Sequence, residues 1–374
     1  RASYSLFEDP DVIARFRADP RGFLDALTLP AILDEIQNVP EVFAYVRARI
    51  DAAPTTRGRW LLTGSQDFAL MQGASESMAG RAAILHLLPF AASETGDCDV
   101  FLGGFPEVRA RPRSIELWMA SYVQTYLERD VRAVTQVRDL ATFRRFLALV
   151  ATRSAQILNR TDFAAPLGVS VPTISQWISV LETTGILLVV PPYFENLGKR
   201  LVKSPKVYFV DTGLLCHLLG VRSRTELERS PHVGAIFETF VASELVKQQV
   251  HAGRARELYF FRDDEGLEVD FIRSRDGGGV QLIEAKWTRT PRPEDARGLA
   301  KVSARFPPGM QIDAVLLHRG GGSAPDESSL APGIAARTVD RFFVREASAK
   351  AQFSARSGPG RPRPSRRGRP PSAR

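Results

Sequence analysis

The stretch Thr28-Leu29-Pro30-Ala31-Ile32-Leu33-Asp34-Glu35-Ile36-Gln37 decides the fold of the amino-terminal part of the chain. Its short apolar run, Ala31 to Leu33, ends in two adjacent carboxylates, Asp34 and Glu35. A buried parallel strand delivers side chains in this way to the carboxyl edge of an open α/β sheet, where ligands bind. Many strands also end in an acid because the chain returns to solvent there. The pair taken alone therefore leaves both interpretations open.

A second strand with a polar tip follows along the chain. The run Arg59-Trp60-Leu61-Leu62-Thr63-Gly64-Ser65-Gln66 again changes from apolar to small polar residues. A helical pattern over Val39–Ala53 separates the two runs, so this part of the sequence predicts a β-α-β unit. A hydroxyl at the second tip, from Thr63 or Ser65, can lie beside the γ-phosphate of a nucleotide held between neighbouring strands.

Longer stretches carry a resemblance to a known family. In the amino-terminal part these are EDPDV, DPRGFLD, ILDEIQNVPEVF, LLTGSQDFALMQGASESMAGRAAILHLLPF and GGFPE, and further on SYVQTYLERDVR and NLGKRLVKSPKVYFVDTGLL. Together they resemble the AAA-type P-loop ATPases of bacteria and archaea that carry a C-terminal domain of unknown function. The resemblance is closest from Asp9 to Glu107 and extends from Tyr4 to about Phe343.

This resemblance implies a site that uses ATP and Mg²⁺. In that site Asp34 helps to hold Mg²⁺, Glu35 activates the attacking water and Ser65 senses the γ-phosphate. Arg81, which precedes the apolar run 82–88, has two interpretations. It senses the γ-phosphate in its own or a neighbouring subunit, which is compatible with an oligomer, or it is a solvated charge at the start of a strand.

The phosphate-binding loop of that family, G-x-x-x-x-G-K-[ST], has no match in the sequence. The pair Gly198-Lys199 is followed by Arg200 and lacks the first glycine of the motif. The chain also opens on Arg1, and Tyr4-Ser5-Leu6-Phe7 already has the pattern of a strand. We therefore interpret the sequence as an amino-terminally truncated member of the family, in which phosphate binding is impaired.

The composition is that of a globular protein, with 44% hydrophobic and 25% charged residues. Cys98 and Cys216 lie far apart, and neither they nor the five histidines have the spacing of metal ligands. No apolar run approaches the roughly eighteen residues of a membrane span, and no signal peptide is visible. A cytoplasmic location without membrane contact is therefore expected.

The positive charge of the chain lies in its last residues. The formal net charge is +8, and residues 347–374 contain eight basic residues and no acid, so residues 1–346 are formally neutral. This tail is rich in Pro, Gly, Ser and Arg and is predicted to be disordered. Its stretches PGRP and RGRP resemble AT-hook cores, which bind the minor groove of DNA. A solubilising tail, or read-through past the natural end, is the alternative.

The middle of the chain predicts a winged helix-turn-helix pattern. Helical patterns at Leu158–Leu167 and Val171–Thr184 flank a turn at Gly168, and wing strands follow at Ile186–Val190 and Tyr208–Val210. The second helix carries no Arg or Lys, so a helical spacer is an equal alternative. Lys199, Arg200, Lys203 and Lys206 on the following loop are candidates for non-specific phosphate contacts. Upstream, helices are predicted at Ile115–Val131 and from Leu140 to about Thr152.

A second set of acids follows in the order α-β-β-β-α-β. Glu238 lies near the start of the first helix, and Asp270 precedes the E-x-K motif Glu284-Ala285-Lys286 by fourteen residues. Strand alternation puts Glu284 and Lys286 on one face. The predicted elements are Gly234–Val250, Glu257–Phe261, Leu267–Ile272, Val280–Trp287, Pro293–Phe306 and Ala314–His318.

These acids suit metal-dependent hydrolysis. The carboxylates of Asp270 and Glu284 and a backbone carbonyl make a Mg²⁺ site, beside which Lys286 can position the attacking water. The pattern resembles the PD-(D/E)xK nuclease fold of restriction endonucleases and junction resolvases, with Val269-Asp270 in place of Pro-Asp, and Glu238 is a further candidate catalytic acid. A structural Glu–Lys pair across a sheet is the alternative.

We therefore predict an α/β protein in four parts. These are an AAA-type ATPase remnant at 1–106 with a truncated P-loop parallel sheet, a helical and winged-helix segment at 107–225, a PD-(D/E)xK, restriction-endonuclease-like domain at 226–346 and the basic tail. The predicted function is an ATP-binding ATPase coupled to a nuclease-like, DNA-binding domain. The alternatives are a Mg²⁺-dependent DNA nuclease regulated by the ATPase half, and a non-catalytic DNA- or partner-binding switch.

Overall fold

A computed structural model describes residues 2–64, 78–127, 140–193, 203–275, 278–321 and 325–345. Within these ranges the protein is a mixed α/β structure with three sheets. The candidate phosphate sensor Ser65, the Gly198-Lys199 pair and the basic tail lie outside the described residues.

A parallel sheet forms the amino-terminal part, as the two strand patterns predict. Strand β2 lies between β1 and β3 and is parallel to both. Two Asp-Pro pairs start the first helices, because Asp9 and Asp19 each accept a backbone N–H as the helix cap and the following proline fits the first turn. The elements are β1 (Ser3–Leu6), α1 (Pro10–Ala18), α2 (Pro20–Asp25), β2 (Ala31–Asp34), α3 (Val42–Ala52) and β3 (Trp60–Leu62).

The strand expected to start at Arg81 does not form. Residues 82–88 have no regular secondary structure, and the side chains of Leu85 and Leu87 are 67% and 92% exposed. A strand of this sheet needs a hydrogen-bonding neighbour, and in the described ranges β3 pairs on one side alone, with β2. Residues 82–87 of the apolar run are exposed, whereas Leu88 packs against the core of the middle and carboxyl-terminal regions.

The middle region consists of helices beside a small antiparallel sheet of order β4-β6-β5. Gly168 lies between α8 and α9 with φ of +66°, a conformation that favours glycine, and the two helices are bent by 113°. The elements are α4 (Ala92–Thr95), α5 (Pro106–Ala110), α6 (Ile115–Tyr122), α7 (Leu140–Thr152), β4 (Gln156–Ile157), α8 (Arg160–Leu167), α9 (Val171–Thr183), β5 (Leu187–Val190), β6 (Lys206–Phe209), α10 (Thr212–Leu218) and α11 (Arg224–Arg229).

No single helix in the described ranges is both long and apolar enough to cross a membrane. The bent pair α8–α9, taken together, meets this criterion by length and composition alone.

A six-stranded mixed sheet of order β11-β12-β10-β9-β8-β7 forms the carboxyl-terminal part. Its three central strands β12, β10 and β9 are parallel, with α12 packed on one face and α13 on the other. The strands β11 and β12 were not predicted. The elements are α12 (Val233–Val250), β7 (Tyr259–Arg262), β8 (Glu268–Ser274), β9 (Val280–Lys286), α13 (Arg297–Ser303), β10 (Ile312–His318), β11 (Glu327–Ala331) and β12 (Ile334–Thr338).

Buried polar contacts tie the segment after the parallel sheet to helix α12. Glu244 accepts the backbone N–H of Ala92 at 2.7 Å and pairs with Lys247 at 3.0 Å, and the Lys247 ammonium donates to the Phe90 carbonyl at 3.0 Å. Next to this pair, the buried Asp211 accepts the backbone N–H of Gly104 at 2.7 Å. The parallel sheet has its own core, whereas this segment packs into the core of the middle and carboxyl-terminal regions.

Candidate functional site

The predicted acid pair lies at the carboxyl edge of the parallel sheet. Asp34 is the last residue of β2, and Thr63 follows directly after the neighbouring strand β3. The Thr63 hydroxyl donates to one oxygen of Asp34, and the Tyr4 hydroxyl donates to the other at 2.6 Å. These hydrogen bonds, that of Thr63 first, hold the pKa of Asp34 below its ordinary value. Asp34 is therefore a fixed, ionised carboxylate at this edge.

Glu35 turns the chain sharply away from the strand. Its φ of +56° is in the left-handed region, which is uncommon for a residue other than glycine. The side chain of Gln37 donates to one of its carboxylate oxygens, and the Glu35 backbone N–H donates to Asp34 at 3.1 Å. Two adjacent carboxylates thus lie at one sheet edge, and such a backbone outlier is typical of functional sites.

The other predicted nucleotide contact is engaged elsewhere. The Arg81 guanidinium pairs with Asp51 of α3, with Nε 2.5 Å from Oδ1. The structure thus brings together Asp34, Glu35 and Thr63, whereas Arg81 binds a helix carboxylate at the surface.

The second set of predicted residues lines one cleft of about 630 Å³ between the small antiparallel sheet and the six-stranded sheet. Glu238 comes from the first turns of α12, Asp270 from β8, and Glu284 and Lys286 from β9. The strand register pairs Phe271 with Ile283 and so brings Asp270 next to Glu284. Further lining residues include Arg153, Lys206, Arg262 and Glu268.

The carboxylates of the cleft differ in their partners. One oxygen of Asp270 accepts the backbone N–H of Ala285 at 2.9 Å. The Lys286 ammonium lies 2.8 Å from Oε1 of Glu284, on the same strand face as predicted. Oε2 of Glu284 is buried and has no hydrogen-bond partner among the residues that the structure describes.

Lys206 is the principal residue of this cleft that the sequence did not indicate. It was expected on a loop, but it starts strand β6 and its side chain is buried. Its Nζ lies 2.9 Å from Glu238, 2.5 Å from Glu268 and 3.9 Å from Asp270. A signal was present: Lys206 opens the otherwise apolar run Val207-Tyr208-Phe209, so a buried partner was to be expected for it.

The charges of the cleft depend on one another. Burial raises the pKa of Glu238 to about 7 and that of Glu284 to about 8, and it also raises the pKa of Asp270. Burial alone would lower the pKa of Lys206, but the nearby Tyr208 and acids raise it well above its ordinary value. Lys206 therefore stays protonated and compensates carboxylates that are costly to ionise.

The two sites differ in how they suit Mg²⁺. No three or more His, Cys, Asp or Glu side chains of the described part of the chain are arranged to hold a metal ion. In the cleft the Lys206 ammonium contacts Glu238 and Glu268 and lies 3.9 Å from Asp270, so these three acids already share a cation, and Glu284 of the predicted ligand pair contacts Lys286. At the sheet edge a single ionised Asp34 is compatible with Mg²⁺, which takes its other ligands from nucleotide phosphates and water.

Comparison with known families agrees with this architecture. Residues 1–96 match an AAA domain, residues 99–225 match domain of unknown function 8612, and residues 233–327 match domain of unknown function 4143. The segment that contains the acid-tipped parallel sheet is therefore similar to an AAA domain. In particular, the AAA-domain match is followed by matches to two domains of unknown function, which confirms the resemblance to AAA-type proteins with a C-terminal domain of unknown function.

Two mycobacterial proteins are similar to this chain. They are uncharacterized proteins of Mycobacterium tuberculosis (strain H37Rv) and of Mycobacterium bovis (strain AF2122/97). Each is 32% identical to this chain over 281 residues, which cover 73% of this chain and 62% of the relative. The chain therefore spans less than two thirds of the length of these relatives.

Proposed function

We propose that the protein is an AAA-type ATPase whose nucleotide site includes the edge formed by Asp34, Glu35 and Thr63. The observation that carries this proposal is the fixed, ionised Asp34 at the carboxyl end of the central strand, inside the segment that matches an AAA domain. In open α/β folds, ligands bind at this edge of the sheet.

The residues of the edge have separate tasks in this proposal. Asp34 would help to hold Mg²⁺, and bound Mg²⁺ neutralises charge on the nucleotide phosphates. Thr63 and Tyr4 hold the Asp34 carboxylate by one hydroxyl each, so its two oxygens keep a defined direction. Glu35, whose backbone is left-handed, orients the attacking water or accepts a proton from it. Ser65 remains the proposed γ-phosphate sensor, and Arg81 would have to leave Asp51 to reach a nucleotide.

ATP turnover by the complete product of the gene tests this function. Glu35→Gln keeps the size of the side chain and removes the base, so we expect hydrolysis to fall by about 10²–10⁴-fold while ATP binding persists. The matched control is Glu41→Gln, which breaks a surface ion pair with Arg17. Turnover that is the same in Glu35→Gln and Glu41→Gln would refute the proposed role of Glu35.

A second candidate function is DNA binding by the middle and carboxyl-terminal regions, within the predicted nuclease-like fold. The observation that favours it is that Arg153, Arg262 and Lys286 line the cleft with side chains that solvent reaches, although Arg262 and Lys286 also pair with acids of the cleft. Helices α8 and α9, bent by 113° and followed by the antiparallel pair β5–β6, further support a winged helix-turn-helix. Phosphate contacts of this kind give binding without sequence selectivity.

Fluorescence anisotropy with duplex DNA over a range of salt concentrations tests this second function. The variant Arg153→Ala/Arg262→Ala should bind more weakly and lower the slope of log K against log salt by about 2. The control Arg47→Ala/Arg57→Ala removes the same charge from exposed positions of the parallel-sheet region. If deletion of residues 348–374 abolishes binding and the cleft variant does not change it, the tail and not the cleft binds DNA.

The nuclease alternative makes its own prediction. If the cleft cleaves DNA, cleavage should disappear in Lys286→Ala while the protein stays folded, because Lys286 is the proposed group that positions water beside Glu284. Cleavage that survives this substitution would exclude that role of Lys286.

A further inference from the structure

The carboxyl-terminal cleft contains four carboxylates and a buried lysine that reaches three of them from another sheet. Glu238, Glu268, Asp270 and Glu284 all line the cleft. Asp270 is buried and the other three are half-buried. Carboxylates so poorly solvated either take up a proton or need a nearby cation to ionise. The question is which cation the protein uses.

The position of Lys206 answers it. Its ammonium is in contact with two carboxylates, at 2.5 Å from Glu268 and 2.9 Å from Glu238, and lies 3.9 Å from Asp270. A carboxylate-bound Mg²⁺ would compete for the same oxygens, because it too requires them in its immediate shell. We infer that Lys206 takes the place of a divalent cation in this cleft, so that Glu238, Glu268 and Asp270 share its ammonium group in the folded protein and not a metal ion.

Lys206 is built into the fold at this position. It is 3% exposed, its ammonium lies 5.6 Å from the centre of the Phe260 ring, and its strand β6 is the central strand of the small sheet. Two residues further on, the buried Tyr208 hydroxyl donates to the same Glu238 oxygen at 2.8 Å. Because Lys206 and Tyr208 point to one side of β6, the strand holds Glu238 by two adjacent contacts.

The other cationic groups of the cleft are arranged differently. Lys286 pairs with Glu284 at 2.8 Å and is 43% exposed, and Arg262 pairs with Glu268 at 3.3 Å and is 42% exposed. These two groups remain accessible to an anionic ligand, whereas Lys206 does not. The inference therefore goes beyond the proposed functions. The acids serve as a structural counter-charge for Lys206, so an anionic ligand that enters the cleft approaches acids that already have a cation beside them.

Titration of the full chain with MnCl₂, followed by isothermal calorimetry, tests this inference. Mn²⁺ is the probe because it prefers the same carboxylate ligands as Mg²⁺. Wild-type protein should show no Mn²⁺ binding that depends on Asp270, as judged against Asp270→Asn. Lys206→Ala should gain one Mn²⁺ site, with affinity raised at least about tenfold over wild type. That site should disappear in Lys206→Ala/Asp270→Asn.

The control is Lys301→Ala, which removes one exposed lysine of α13 and should leave Mn²⁺ binding unchanged. A folded Lys206→Ala without a new Mn²⁺ site would overturn the inference. If Lys206→Ala does not fold, the comparison of wild type with Asp270→Asn still tests the inference. Mn²⁺ binding by wild type that depends on Asp270 would contradict a lysine in the cation position. Neither outcome depends on ATP turnover or DNA binding, so failure here is distinct from failure of the proposed functions.

Discussion

Removal of the Asp211 carboxylate should destabilise the junction between the parallel-sheet region and the rest of the chain. Asp211 is 2% exposed, and its two oxygens accept the backbone N–H groups of Gly104 at 2.7 Å and of Leu214 at 2.9 Å. The first contact holds the segment after the parallel sheet, and the second caps helix α10. Asp211→Ala leaves both donors without this acceptor.

The magnitude follows from these two contacts. A buried donor left unsatisfied costs about 1–3 kcal/mol, so Asp211→Ala should lower the free energy of unfolding by about 2–6 kcal/mol. The matched control is Asp25→Ala, whose carboxylate is 69% exposed in its ion pair with Arg49 and should cost about 1 kcal/mol or less. Asp211→Asn keeps one acceptor oxygen and should lie between the two.

Urea unfolding measures the energy, and amide hydrogen exchange locates it. The amides of Gly104 and Leu214 should exchange faster in Asp211→Ala, while those of the parallel sheet, which has its own core, should not change. An unfolding free energy within about 1 kcal/mol of the Asp25→Ala value would show that the Asp211 contacts do not support the junction. Unchanged exchange at Gly104 would refute the same reasoning locally.

Three further predictions concern charge and packing. Burial raises the pKa of Glu284 from 4.5 to about 8, so the folded protein holds a proton that the unfolded chain releases in this range. The free energy of unfolding should therefore fall as pH rises from 4.5 to about 8, and Glu284→Gln should flatten this dependence in urea titrations. Gly213→Ala should lower the melting temperature, because its Cβ would lie 2.4 Å from the backbone oxygen of Leu102. Thr63→Val should raise the pKa of Asp34 in carboxyl-carbon NMR titrations, since it removes the hydroxyl that favours the ionised form.

Local patterns predicted many elements well. The described helix Leu140–Thr152 ends where it was predicted to end, because its apolar stripe is a local signal. The second helix of the turn motif begins at Val171 as predicted, where Ser170 caps it and Pro172 fits its first turn. The strand β9 likewise carries Glu284 and Lys286 on one face, which strand alternation alone requires.

Contacts between distant parts of the chain could not be predicted in this way. The strand patterns placed Asp270 near Glu284. The apolar run after Lys206 indicated a buried partner for this lysine, but it could not show that the partner lies in the cleft of another sheet. The apolar run 82–88 has the composition of a strand, yet a strand also needs a partner, and pairing is decided by tertiary structure. The ion pair of Arg81 with Asp51 depends on the same kind of long-range placement.

Helix α12 contacts both the cleft and the segment that follows the parallel sheet. Its Glu238 belongs to the cleft, and six residues later Glu244, with Lys247, holds the segment that leaves the parallel sheet. Six residues of helix span about 9 Å, and a close-packed helix moves as a rigid body. We therefore expect a displacement of that segment to shift Glu238 relative to Lys206, because one helix carries both sets of contacts.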